Sequence, residues 1–142
     1  MKELRIDAKI ENLDAVLAFV EAELCECTMK QQRQIAIAVE EIFVNIAHYA
    51  YAPDTGGAVI RVRRRDTAVN GACGRGDEVV IEFEDNGKPY NPLEKRDPDI
   101  TLGVEEREVG GLGIFMVKKI MDSVEYRRGG DKNILTIKME SG

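Results

Sequence analysis

The chain has 142 residues, 44% hydrophobic and 32% charged, with a formal net charge of −6. That length suits one domain with a single core. Its acidic balance argues against sequence-independent nucleic-acid binding, which rests on neutralising phosphates, and against an anionic membrane surface.

Leu4, Ile6 and Ala8 alternate with Arg5, Asp7 and Lys9, which predicts a half-buried strand. Asn12 is placed to cap a helix whose Leu13, Val16, Leu17, Val20 and Leu24 recur at helical spacing. A second helix starts after Thr28, a plausible N-cap, and runs to about Tyr51, where Pro53 and Gly56-Gly57 end it. Two strands follow. Ile60 and Val62 alternate with Arg61 and Arg63, and Val79, Ile81 and Phe83 alternate with Val80, Glu82 and Glu84. The run "RVRRR" reads as a solvated strand face whose arginines meet glutamates on the neighbouring strand. Between the two strands, "DTAVNGACGRGD" is a loop rich in glycine.

Periodicity is lost from Leu93 to Val109, too long for an ordinary connection and suited to a functional lid or a partly disordered loop. "GGLGI" then opens a short helix with Ile114, Val117, Ile120 and Met121 on its apolar face. A hairpin closes the chain: Val124 and Tyr126, the turn "GGDKN", then Leu135, Ile137 and Met139. The order predicts an α+β two-layer sandwich, with helices on one face of a mixed, mainly antiparallel sheet.

The cysteines are Cys25, Cys27 and Cys73. Their odd number, with no secretory leader and no long apolar run, suggests a reduced, cytoplasmic setting. Cys25-Glu26-Cys27 lacks zinc-type spacing to Cys73 or His48, so the thiols read as buried or idle rather than metal ligands.

Three stretches carry chemistry. In "VEEIFVNIAHYAY", Ile35, Val39, Ile42, Ile46 and Ala50 make the core stripe of the second helix. Glu41, Asn45 and His48 run along an edge about 100° round from it, at the border of core and solvent where a cleft wall would stand. In "DNGKP", Asp85 ends a strand beside Gly87. A carboxylate only accepts hydrogen bonds, so it suits the exocyclic amine of adenine and rejects a keto oxygen, and a neighbouring glycine lets a flat ligand approach. In "GGLGIFMVKK", Gly110, Gly111, Leu112 and Gly113 bare backbone N–H groups at a helix start, a setting for phosphate. This stretch is neither a P-loop, having no Lys-Ser/Thr pair, nor a dinucleotide fingerprint, with Met116 where the last glycine would be. Each stretch alone also reads as a wet helix edge, a plain turn or a glycine-rich turn. In this order they add up to a nucleotide site.

These motifs resemble the Bergerat-type (GHKL) ATPase superfamily shared by DNA gyrase, sensor histidine kinases and mismatch-repair ATPases. Within it the chain is most similar to the small anti-sigma-factor serine kinases, from about Leu4 to Met139. The resemblance implies ATP and Mg²⁺ as cofactors, with Asn45 holding the metal against the phosphates. It implies Glu41 as the general base for the attacking hydroxyl, and Asp85 on the adenine amine with Gly87 beneath the ring. Residues from about 91 to 110 would form the ATP lid, and Gly110, Gly111, Leu112 and Gly113 would wrap the phosphates. The whole chain, 1–142, would be one ATP-binding kinase domain. It would phosphorylate a small anti-sigma antagonist protein, hold a sigma factor inactive, and form a homodimer through Leu4 to Leu24. The chain departs from the pattern at Tyr49, where relatives often carry histidine; His48 lies one residue earlier. Arg107 stands near the place of a lid arginine. The alternatives are a regulatory module that binds ATP without turnover, a kinase of another bacterial signalling pathway, and a structural dimerisation domain.

Overall fold

A computed structural model describes residues 2–24, 27–51, 54–65, 78–89, 91–94 and 111–140. Among these residues, five strands and three helices follow one another: β1 (Lys2–Asp7), α1 (Leu13–Ala22), α2 (Met29–Asn45), β2 (Gly57–Arg65), β3 (Glu78–Asp85), α3 (Gly111–Ile120), β4 (Ser123–Gly129) and β5 (Lys132–Glu140). The sheet order is β1-β2-β3-β5-β4. Every pairing is antiparallel, the limiting form of the mainly antiparallel sheet expected from sequence.

Alternation along the strands divides the sheet into two faces. Ala58, Ile60 and Val62 on β2, Val79, Ile81 and Phe83 on β3, and Leu135, Ile137 and Met139 on β5 point into one buried cluster. Val16, Val20, Ile35, Val39, Ile42, Phe43 and Val117 from the helices complete it. Phe43, Phe83, Ile81 and Ile137 are fully buried, and each such side chain stabilises the fold by about 1.5–3 kcal/mol.

The opposite face carries charge. Arg61 reaches Glu3 on β1 at 2.8 Å, and Glu84 and Glu82 on β3 at 3.2 and 3.7 Å. Arg61 of the "RVRRR" run thus makes cross-strand pairs with glutamates of the kind expected from sequence, whereas Arg64 shares the inward parity of Val62.

Local signals set the helix ends. Thr28 Oγ1 accepts from the Gln31 N–H at 3.1 Å, and Gln31 Oε1 accepts from the Thr28 N–H at 3.0 Å, a reciprocal capping box. Gln32 then donates to the Leu24 and Cys27 carbonyls, tying the α1–α2 connection to the start of α2. The expectation for Asn12 is corrected. Its side chain makes no cap bond; it donates instead to the Asp7 carbonyl at 2.9 Å, because a 3₁₀ turn over Ile10–Asn12 brings the amide back to the end of β1.

The second helix does continue to the neighbourhood of Tyr51, but its last turn, Ile46–Ala50, is π rather than α. The hairpin turns through Gly130 at φ 61°, the left-handed conformation that glycine adopts without steric cost. The 66–77 loop, Cys25, Cys73, and the segment 95–110 with Arg107 and Gly110 lie outside the described residues.

Candidate functional site

The core stripe of α2 fixes its rotation. Ile35, Val39 and Ile42 are buried, and so are Ile46 and Ala50 in the π turn. Glu41 and Asn45 are thereby left half-buried on the helix edge. His48 does not continue their row toward the cleft. A π turn closes i→i+5 and advances by a smaller angle per residue, so His48 swings out to solvent. There it meets Tyr49 edge-on, with ring centroids 5.9 Å apart.

At the far side of the cleft, strand register sets the chemistry. The inward positions 79, 81 and 83 of β3 are apolar, and the next inward position is Asp85. The inward positions 135, 137 and 139 of β5 are apolar, and the preceding one is Asn133. Register places Asp85 directly opposite Asn133. Asp85 is 7% exposed, so its carboxylate must be satisfied from within. Oδ1 accepts from the Gly87 N–H at 2.8 Å and from Asn133 Nδ2 at 2.9 Å.

Gly87 itself lies against the end of α2. A Cβ there would overlap the Ala50 carbonyl, and the neighbouring Lys88 N–H donates to that same carbonyl at 3.0 Å. The glycine thus lets two segments of backbone meet. Tyr51 fastens the same corner: its hydroxyl donates to the Gly57 carbonyl at 2.6 Å and accepts from the Asn86 N–H at 2.7 Å. Its ring fills the space where a Cβ on Gly56 would stand. Burial pushes the Tyr51 phenol up, the nearby Asp85 and Glu84 charges push the same way, and the Asn86 hydrogen bond opposes them.

Between α2 and this corner runs a narrow cleft. Ile42, Ile46, Phe83, Ile114 and Leu135 give it apolar walls. Asn45, Asp85, Lys88, Tyr126 and Asn133 set polar groups among them. Apolar walls with a few convergent polar groups are the usual make-up of a small-molecule site.

The start of α3 closes the Glu41 end. A Cβ added to Gly113 would overlap the Glu41 carboxylate, with Cδ only 2.9 Å away. Glu41 therefore sits at the N-terminal turn of α3, where Gly111, Leu112 and Gly113 present N–H groups that lack intrahelical partners. The residues that the sequence singled out on α2, β3 and α3 thus border one region.

The Asn45 side chain has no hydrogen-bond partner among the described residues, and it lines the cleft. A single side-chain oxygen of this kind fits Mg²⁺, which keeps waters and substrate phosphate oxygens as its other ligands. A cluster of three or more His, Cys, Asp or Glu arranged around one point is absent among the described residues.

Sequence reasoning passed over Asn133, Tyr126, Lys88, Arg128 and Tyr51. A signal existed for Asn133: it is the one polar residue in an inward series that is otherwise Leu135, Ile137 and Met139. The other four announce themselves only through tertiary contact.

Among the described residues, no helix is long and apolar enough to cross a membrane. Compared with known proteins, the chain matches the histidine kinase-like ATPase domain over residues 6–139. It is also similar to the serine/threonine-protein kinase BtrW of Bordetella bronchiseptica (strain ATCC BAA-588 / NCTC 13252 / RB50). The two are 24% identical over 110 residues, which cover 75% of this chain and 69% of that one. The match implies ATP binding in a kinase-like domain, and its extent leaves one assignment: the chain belongs to the histidine kinase-like ATPase family.

Proposed function

We propose that the chain is an ATP-dependent serine/threonine protein kinase of the partner-switching kind, which phosphorylates a small antagonist protein and holds a sigma factor inactive. The observation that carries this reading is the contact between the Glu41 carboxylate and Gly113 at the head of α3, one helical turn from Asn45 in a cleft that ends at Asp85. The similarity to a protein named as a serine/threonine kinase supports the choice of acceptor.

In this reading the adenine amine donates to Asp85, and the apolar walls hold the ring. The N–H groups at the start of α3 receive phosphate oxygens. Asn45 would hold Mg²⁺, which when bound neutralises phosphate charge during transfer. Glu41 orients the acceptor hydroxyl and takes its proton as the new O–P bond forms and the bond to the ADP leaving group breaks. Two copies would associate through β1 and α1. In support, among the described residues β1 is an edge strand paired on one side only, although Val16 and Val20 of α1 are already committed to the core. Nucleotide state would then bias which partner is bound, in proportion to its differential affinity for the two states.

The test is transfer of label from γ-labelled ATP to small proteins retained by the immobilised chain. The wild type should label serine or threonine on one of them. Glu41→Ala should still bind ADP but lose transfer by on the order of 10²–10⁴. Equal labelling by both proteins removes the general-base role. Binding without transfer in the wild type favours a regulatory ATP-binding module instead.

A further inference from the structure

The inward row at the end of the sheet is polar across three strands: Asp85 on β3, Asn133 on β5 and Arg128 on β4, in direct register. Asn133 is 6% exposed and fully engaged. Its Nδ2 donates to Asp85 Oδ1 and to the Lys88 carbonyl, both at 2.9 Å, and its Oδ1 accepts from the Tyr126 hydroxyl at 2.6 Å. Arg128 donates to the Gly87 carbonyl at 2.9 Å from the same row.

The amide has one sensible orientation. Flipped, its oxygen would face a carboxylate and a carbonyl, neither of which donates. Tyr126 locks that orientation, because a phenol hydroxyl that donates to Oδ1 keeps Nδ2 turned toward Asp85. The consequence lands on the carboxylate. Gly87 and Asn133 both donate to Oδ1, and among the described residues no donor reaches Oδ2.

We propose that Asn133, held by Tyr126, is the positioning residue that fixes the plane of the Asp85 carboxylate and leaves Oδ2 as the acceptor for the amine of a 6-aminopurine. This rests on the nucleotide reading of the cleft and adds to it the source of base selectivity. A carboxylate free to rotate meets an amine in many poses and discriminates weakly. One pinned by two donors on the same oxygen holds the lone pairs of Oδ2 in a fixed plane, which rewards an amine lying in that plane and repels a keto oxygen.

The test separates aim from mere support. ADP and the diphosphate of purine riboside, which lacks the 6-amino group, are titrated into the wild type, Asn133→Ala and Tyr126→Phe, with melting temperatures recorded alongside. The wild type should prefer ADP by about tenfold to a hundredfold, the span expected for a hydrogen bond to a charged group. Asn133→Ala should bring that preference within about threefold, by weakening ADP and leaving the purine riboside diphosphate nearly unchanged, the signature of direct coupling in a double-mutant cycle. Tyr126→Phe should fall between, and it carries the test should Asn133→Ala not fold. An unchanged preference in the folded variants, or an equal loss for both nucleotides, overturns the proposal. So does a wild type that binds both nucleotides alike. A wild type that binds neither overturns the nucleotide reading itself.

Discussion

Two glycines do opposite work at the residue scale. A Cβ on Gly113 would meet the far end of a flexible side chain, the Glu41 carboxylate, which can move aside. Gly113→Ala should therefore leave thermal stability little changed, since alanine is the better helix former. Phosphotransfer should nonetheless fall about a hundredfold, because displacing a reacting group by an ångström is enough for that. Comparing the melting curve with the transfer rate checks both halves. A Cβ on Gly87 would meet the Ala50 backbone, which cannot swing away. Gly87→Ala should cost about 1–3 kcal/mol in urea unfolding, through overpacking. The sequence marked both glycines for proximity to a ligand. What each one touches depends on which element comes to lie against it.

At the scale of elements, the end of α2 decides the shape of the site. The capping box at Thr28 starts the helix, the core stripe sets its rotation, and the π turn over Ile46–Ala50 adjusts where it ends. Tyr51 then bolts that end to β2 and to the turn after β3. Tyr51→Phe leaves the Gly57 carbonyl and the Asn86 N–H without this partner, at a cost of about 1–2 kcal/mol near neutral pH. The pH dependence follows from a phenol pushed up in the folded state. Its contribution is complete below the unfolded value of about 10 and is lost as pH rises through the higher folded value. Urea unfolding across that range should show the gap between wild type and Tyr51→Phe narrowing as pH rises. A constant gap would mean that the phenol titrates alike in both states.

On the scale of the whole molecule, the two faces of the sheet divide the work. One is covered by helices and carries core and cleft. The other carries the Arg61 network with Glu3, Glu82 and Glu84, pairs that lie near solvent and so contribute modestly. The cleft joins α2, β3, α3 and the β4–β5 hairpin, so a ligand in it bridges elements far apart in the chain. At a hundred times its Kd, Mg-ADP should stabilise the fold by about 2.7 kcal/mol, raising Tm by roughly 5–10 °C in a chain of this size. A melting curve that ignores saturating nucleotide would sink the assignment of this cleft.

The sequence by itself determined the strands, the helices and the faces they bury, because period-two and period-3.6 patterns, a capping box and glycine turns are local properties of the chain. It also carried the ordered motifs around Glu41, Asn45, Asp85 and Gly111. Only the tertiary structure decided that β5 inserts beside β3 and sets Asn133 opposite Asp85. The same holds for the Gly113 contact with Glu41 and for the π turn that sends His48 to solvent. Those outcomes depend on strand register and helix rotation, which contacts between distant parts of the chain settle together and no short window of sequence contains.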